Sequence, residues 1–431
     1  MRNFSKTILV QVLQIESQLV LWRYKPKIIV ITGSVGKTST KDAVYAILSK
    51  VSHVRKSEKS YNSEIGLPLT ILGVPNGWNN IVMWLKDIAF GFWLFLVKHK
   101  YPEWLVLEVG VGKPGDMRRT ASWLKTDAVI ITAMGETPAH IEFFDSRKHL
   151  VEEKSGLIKT LKKDGLLILN ADDETVLEIK TKSKHRAITY GFREGADVRG
   201  SGDSIFYNSA GEPEGVIYRV DEGGNSVPVT IEGVFGKNHV YASLAGLALS
   251  FGLKLNMITA ANSLKNYDVP PGRMRLLKGI ENSLIIDDTY NSSPFACESA
   301  LKTLGEIKCE GKKIAILGDM LELGRHTQEA HRNIGKIAKE NADILVTVGH
   351  RAEAIKEGAM EAGFKKKNIY EFLDSSGAKE FIKTFIKKGD LVLVKGSQGM
   401  RMERVVEAIL LDKQNKEKFL VRQEKEWLEK E

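Results

Sequence analysis

Residues 27–40, KIIVITGSVGKTST, leave few folds open. The β-branched run 28–32 stops at a glycine-bounded turn, Gly33-Ser34-Val35-Gly36. Lys37, Thr38 and Ser39 follow, and then a helical pattern through Ala43, Ile47 and Leu48. A strand, a glycine loop and a helix N-terminus in that order make an anion cradle. The glycines turn backbone N–H groups toward phosphates, and the helix dipole adds partial positive charge. Lys37 then reaches the β- and γ-phosphates, and the Thr38 hydroxyl suits Mg²⁺. The full phosphate-loop pattern would put a glycine at Ile31, so the loop points to ATP or GTP without naming a product.

An acid and two further groups follow at strand ends. Residues 104–110, WLVLEVG, predict a buried strand that delivers Glu108 at its C-terminal end, where ligands collect in open α/β sheets. Beside a phosphate loop, such an acid is a natural Mg²⁺ ligand. Residues 128–134 predict another strand, with His140 just beyond it. Lys154 lies fourteen residues later in a helical pattern, flanked by Glu152 and Glu153. Alone, His140 reads as structural and Lys154 as a solvated charge.

Taken together, the ordered motifs resemble the ATP-dependent Mur ligases of peptidoglycan synthesis, in particular the branch that adds a dipeptide. The matching segments are ITGSVGKTSTK (31–41), SYNSEIGLPLT (60–70), LEVGVGKPGDM (107–117) and MGETPAHIEFFDSRKHLVEEKSGLI (134–158). LNADDE (169–174), PPGRMRLL (270–277), IIDDTYNSSPFA (285–296), AILGDMLELG (315–324) and VLVKGSQGMRMERV (392–405) follow in the family's order. The resemblance implies ATP and two Mg²⁺ ions. Gly33, Ser34, Gly36, Lys37, Thr38 and Ser39 would hold the phosphates, and Thr38, Glu108, His140 and Lys154 the metal. Lys154 would be carbamylated, which turns a cation into a carboxylate-like bridge. Lys37, Lys154, His140 and Glu108 would thus form the catalytic set. Asp288 would hold the ribose hydroxyls, Arg273 and Tyr290 would close over the nucleotide, and Asn62 and Glu64 would line the acceptor cleft.

The implied activity joins D-alanyl-D-alanine to a muramyl-peptide carboxylate through an acyl phosphate. A different, lipid-linked acid or amine is an alternative, and so is a non-ligating ATP-binding regulator at a membrane. In the family the phosphate loop lies roughly 100 residues into the chain, after a UDP-binding domain. Here a basic helical lead of about 27 residues stands before it, so that domain is expected to be lacking. His239 and Ala242 stand in an adenine-contacting segment where the family carries asparagines, so His239 is the expected contact.

The expected fold is α/β, a central phosphate-loop doubly wound domain (27–269) with a smaller Rossmann-like C-terminal domain (270–411). Residues 199–231 predict a β-meander and Pro270-Pro271-Gly272 a hinge. Residues 412–431 alternate Lys and Glu and predict a solvated helical tail.

Composition bears on the partners. The chain has 431 residues, and 63 Lys and Arg exceed 54 Asp and Glu for a formal charge of +9. That excess suits anionic small molecules or an anionic membrane, and nucleic acid is not expected. Five basic residues and one acid, Glu16, fall in 1–27. There Ile8, Val12, Ile15, Leu19 and Trp22 form an apolar helical stripe, expected to dock on the following domain or to lie on a membrane. Gln11, Gln14, Glu16 and Gln18 break up any secretory core. Residues 81–97, IVMWLKDIAFGFWLFLV, hold ten uncharged residues at most in a row, too few for a span of about 20. A core helix and an interfacial helix both remain open for that segment. Two cysteines, Cys297 and Cys309, cannot frame disulfides or a four-ligand zinc site. The expectation is a cytoplasmic monomer with peripheral contact at the inner face of the membrane, through 1–26 and 81–97.

Overall fold

The structure, a computed structural model, describes residues 3–58, 61–78, 80–134, 144, 146–265 and 267–429. His140 lies outside them. The chain forms two compact units. One is Met1–Ser201 with Arg219–Val229 and Val240–Asp268, and the other is Gly202–Tyr218 with Thr230–His239 and Val269–Glu431.

In the first unit, parallel strands β1 (Lys27–Thr32), β2 (Val54–Lys56), β3 (Trp104–Glu108), β4 (Thr126–Ile131), β5 (Leu161–Asn170) and β6 (Arg186–Gly191) take the order β2-β3-β1-β4-β5-β6. β1 is buried from its second residue on and apolar through Ile31, as expected of a central parallel strand covered on both faces. Its register sets Ile31 beside Glu108 and Thr32 beside Ile131, so three strand ends open on one edge. Helices α1 (Asn3–Tyr24), α2 (Lys37–Leu48), α3 (Gly66–Leu72), α4 (Ile81–Leu96), α5 (Asp116–Trp123), α6 (Arg147–Ser155) and α7 (Glu174–Lys182) join and flank the strands. The expected meander consists of three successive strands, β7 (Val198–Tyr207), β8 (Pro213–Glu222) and β9 (Asn225–Glu232), which continue the sheet past β6. Residues 202–218 and 230–239 belong to the second unit, so the boundary cuts the meander rather than falling only at the Pro-Pro-Gly segment. Helices α8 (Lys237–Gly252) and α9 (Met257–Ser263) follow.

The second unit is a smaller doubly wound sheet. Its strands are β10 (Arg275–Lys278), β11 (Leu284–Asp288), β12 (Lys313–Gly318), β13 (Ile344–Val348), β14 (Ile369–Phe372) and β15 (Leu391–Lys395), in the order β10-β11-β15-β12-β13-β14. Only the edge pair β10–β11 is antiparallel. Helices α10 (Pro294–Glu306), α11 (Thr327–Asn341), α12 (Glu353–Glu361), α13 (Ser375–Phe385) and α14 (Glu403–Ile409) link the strands. The α/β class expected from the sequence is the one found.

The α1 and α4 helices bury an acid each and leave large apolar residues exposed. The stripe expected to dock α1 faces solvent: Ile8, Ile15 and Trp22 are exposed, Trp22 by 69%. The face that docks, against α3 and α4, is Leu9, Leu13, Glu16, Ser17 and Val20. Both faces of α1 carry apolar residues at heptad spacing, so the pattern alone left the buried side undetermined. In α4 the buried stripe is Trp84, Asp87, Gly91 and Leu94, while Ile81, Val82, Leu85, Phe90, Phe92, Trp93 and Leu96 are exposed. Trp22 meets Phe95 at a ring-centroid distance of 6.5 Å. Among the described residues, no helix is long and apolar enough to cross a membrane.

Glu16 sits at the centre of this packing. Its side chain is 1% exposed, neither carboxylate oxygen has a hydrogen-bond partner among the described residues, and a Cβ on Gly91 would lie 2.6 Å from Oε2. Burial raises its pKa from 4.5 to about 7. An acid whose folded pKa lies above its unfolded one is tolerated while protonated, so its cost is absent below about pH 4.5. The cost grows as pH rises and is complete above about pH 7. Glu16→Gln should therefore raise urea-unfolding stability by about 2 kcal/mol at pH 8 and by much less at pH 5. Equal effects at both pH values would show that Glu16 is not protonated in the folded chain.

The solvated helix expected at 412–431 is replaced by two short turns, α15 (Lys416–Phe419) and α16 (Lys425–Leu428), with Leu420 and Arg422 buried between them. Leu420 packs into the core of the second unit, and that contact draws the segment onto the surface.

Candidate active site

The loop after β1 is held from below. Ser34 N–H donates to the Ala133 carbonyl at 2.7 Å, and Thr132 Oγ1 donates to the Val35 carbonyl at 2.7 Å. A side chain at Gly33 would strike Thr132 Oγ1 at 2.0 Å, and Gly36 takes φ +83° as the cap of α2. Gly33 leaves no room for a side chain, and the conformation at Gly36 favours glycine. Among the described residues no side chain caps α2, so its first-turn N–H groups face the loop's concave side and favour an anion. The Lys37 ammonium lies over that loop, 2.9 Å from the Gly33 carbonyl.

Glu108 is fully buried at the end of β3, with both oxygens engaged. Thr38 Oγ1 donates to Oε2 at 2.9 Å and Asn62 Nδ2 to Oε1 at 3.2 Å. Its backbone N–H donates to Ser57 Oγ at 3.2 Å. Lys154, on α6, is also buried and donates to Ser34 Oγ at 2.7 Å. Burial, with the Lys37 charge as a second cause, pushes its ammonium down to about 7. A buried lysine whose charged form is disfavoured is the opposite of a solvated charge.

Lys37, Thr38, Asn62, Glu108 and Lys154 therefore surround one loop. Glu64 does not join them; it pairs with Arg119 on α5 at 2.8 Å, on the surface. Among the described residues, no three His, Cys, Asp or Glu side chains cluster for a metal. The hydroxyl of Thr38 touching the carboxylate of Glu108 is nonetheless an oxygen pair of the kind a hard cation takes.

In the second unit the expected residues gather at the end of β11. The Arg273 guanidinium lies 4.1 Å from the Tyr290 ring centroid. Asp288 Oδ1 accepts from the Met274 N–H at 3.2 Å and Oδ2 from Lys395 Nζ at 2.5 Å. His239 is buried, and burial pushes its pKa down to about 4; Nε2 lies 2.8 Å from the Arg273 carbonyl oxygen. As a neutral ring it is a hydrogen-bonding group rather than a charge.

Sequence reasoning missed Lys395 and Asp287. Lys395 ends β15 in register with Asp288, so its place at a strand end within VLVKGSQG was the available signal. Asp287 is fully buried and raised to about 6 by burial; it accepts from Thr289 Oγ1 at 2.6 Å and from the Gly272 N–H at 3.1 Å. Ser57 and the Asp42–Lys56 pair, 2.8 Å apart, were missed as well.

A phosphate loop on a parallel sheet, a buried acid on its threonine and a second doubly wound unit define a nucleotide-using α/β enzyme. Residues 31–250 match the Mur ligase middle domain and 272–398 the Mur ligase, glutamate ligase domain. The chain belongs to the Mur ligase family and is an ATP-dependent ligase. It is 29% identical, over 89% of its length and 76% of the relative's, to the UDP-N-acetylmuramoyl-tripeptide–D-alanyl-D-alanine ligase of Bacillus subtilis. The protein of that name from Buchnera aphidicola is 28% identical over 91% of this chain and 78% of its own. A crystal structure of MurF ligase from Thermotoga maritima in complex with ADP superposes with a TM-score of 0.75 at 27% identity, covering 93% of this chain and 83% of that one.

Proposed function

We propose that this chain joins the amine of D-alanyl-D-alanine to the terminal carboxylate of a muramyl peptide, with ATP converted to ADP and phosphate. A carboxylate resists attack by an amine because oxide would have to leave. Transfer of the γ-phosphoryl group to the carboxylate makes an acyl phosphate. The amine then forms the amide bond, and phosphate departs with the C–O bonding pair. Lys37, over the loop, would neutralise charge on the transferring group, and the N–H groups of the glycine loop would orient it. Thr38, Glu108, His140 and a carbamylated Lys154 would hold Mg²⁺, which supplies charge neutralisation on the phosphates when bound. Asp288, Arg273, Tyr290 and His239 would receive the nucleoside, and Asn62, with Glu64 further out, the acceptor. The observation that carries this reading is the Thr38–Glu108–Asn62 contact, which sets a buried acid on the phosphate loop's own threonine. Phosphate release from ATP tests it. Release that requires both UDP-muramyl-tripeptide and D-alanyl-D-alanine supports the reading, and release that ignores either one overturns it.

A second reading concerns the place of work and the acceptor. The exposed faces of α1 and α4 carry many large apolar residues beside Gln11, Gln18 and Lys86, their buried stripes carry Glu16 and Asp87, and exposed Arg23, Lys25, Lys27, Lys98 and Lys100 gather where both helices end. Apolar residues outward with a cationic rim fit a bilayer carrying anionic headgroups. The protein is then cytoplasmic and peripheral at the inner face, and a lipid-linked muramyl peptide becomes the acceptor to try beside the UDP-linked one. Vesicles with anionic phosphatidylglycerol should co-sediment the protein at low salt. Trp22→Glu with Phe92→Glu should weaken that binding tenfold or more, since about 1.5–3 kcal/mol attends each large apolar side chain buried. Protein that stays in the supernatant at low salt would end this second reading and leave the ligase reading untouched.

A further inference from the structure

We propose that residues 412–429 form a strap whose Arg422 is a positioning residue for the nucleotide-side loop after β11. The inference rests on the reading that Asp288 and Tyr290 face the nucleotide.

Arg422 is an unusual residue for a Lys/Glu-rich tail: it is buried and takes φ +59°. That backbone conformation is costly for arginine, so tertiary contacts must hold it. They are dense. Nη1 donates to Glu403 Oε2 at 2.8 Å and to the Thr289 carbonyl at 3.1 Å. Nη2 donates to the Thr289 carbonyl at 3.1 Å and the Tyr290 carbonyl at 2.6 Å. One planar fork thus fixes two consecutive carbonyls against a buried carboxylate, a geometry the lysine ammonium cannot span. Glu403 is satisfied a second time by Arg401 Nε at 2.6 Å, and Arg401 Nη1 holds the Trp427 carbonyl at 2.9 Å. The ring of Trp427 lies 5.8 Å from the Arg401 guanidinium and 5.9 Å from that of Arg422. Arg275 ties down the strap's other side through the Lys418 carbonyl at 3.0 Å.

The two carbonyls belong to the peptide units that follow Asp288. Their orientation helps to set where the Asp288 carboxylate and the Tyr290 ring point, and Asp288 is already anchored by Lys395 and the Met274 N–H.

The test is steady-state kinetics of the full chain with Arg422→Gln and Arg422→Lys, using variants whose melting shows a folded protein at the assay temperature. Arg422→Gln is expected to raise the KM for ATP about tenfold and to change kcat and both other KM values less than threefold. Arg422→Lys should fall between. Asp288→Ala, run alongside, should raise the same KM. If it does so while folded Arg422 variants keep the wild-type KM for ATP within twofold, or raise all three KM values together, the strap has no positioning role. If Asp288→Ala also leaves the KM for ATP unchanged, the nucleotide-side reading fails and the inference fails with it.

Discussion

Lys37→Ala is expected to lower phosphate release by about a thousandfold with both substrates present, while the melting temperature changes little. The side chain lies partly accessible over the loop carbonyls, so the fold does not depend on it. The reaction does. In the proposed reaction negative charge spreads over the oxygens of the transferring group between ATP and the acyl phosphate, and Lys37 is a side-chain cation lying over the glycine loop. Removing one preorganised charge partner of this kind costs about 3–4 kcal/mol of transition-state stabilisation, which is a factor of about 10²–10³. Lys37→Arg should recover only part, because the longer planar fork cannot occupy the same point. A Lys37→Ala chain with more than a tenth of wild-type turnover would remove the loop from the chemistry.

Lys154→Met is expected to cost at least about a hundredfold in the same assay, and the wild-type chain should depend on dissolved CO₂. A lysine this deeply buried is a poor cation. Burial and the neighbouring Lys37 bring its pKa from 10.5 down to about 7. Carbamylation needs the neutral amine, which predominates above pH 7 and becomes tenfold scarcer with each unit below it. Stripping CO₂ should therefore depress turnover more at pH 6 than at pH 8, and bicarbonate should restore it. The same shift affects stability. The unfolded lysine keeps its proton up to about pH 10.5 and the folded one only to about pH 7, so stability gains from this site as pH rises between those values. Methionine fills a similar volume without charge, so loss of activity in Lys154→Met reports chemistry rather than collapse. Full activity in that variant, or indifference to CO₂ at both pH values, would exclude the carbamate.

The parts of the site legible in the sequence were those fixed by local pattern. A β-branched run, two glycines and a Lys-Thr pair can hardly be anything but a strand, a phosphate loop and a helix start, and the structure has them at Lys27–Thr32 and Lys37–Leu48. Glu108 was legible because a wholly apolar strand ended in an acid. Lys154 was legible only through the resemblance. Its charge suggested solvent, and its burial depends on residues 120 positions away, Ser34 among them. The same limit hid Lys395, whose partner Asp288 lies 107 positions back.

The orientation of α1 was misjudged for a related reason. Ile8, Ile15 and Trp22 form as good a stripe as Leu9, Leu13 and Val20, and only the presence of α3 and α4 decides between them. The strap was hidden by composition. A tail rich in Lys and Glu reads as solvated, and nothing local marks Arg422 as the residue that finds Glu403 and two carbonyls. Charge pattern describes an average face, whereas a single buried arginine is a tertiary event.

The central claim, an amide ligase that couples ATP cleavage to joining an acid and an amine, is tested most directly by following all three products together. Mass spectrometry of a reaction with muramyl-tripeptide, D-alanyl-D-alanine and ATP should show one ligated pentapeptide for each ADP and each phosphate. With ¹⁸O in the acceptor carboxylate, one labelled oxygen should appear in the phosphate, because the acyl phosphate passes that atom on. ADP and unlabelled phosphate formed without ligated product, with UDP-linked and lipid-linked acceptors alike, would contradict the account.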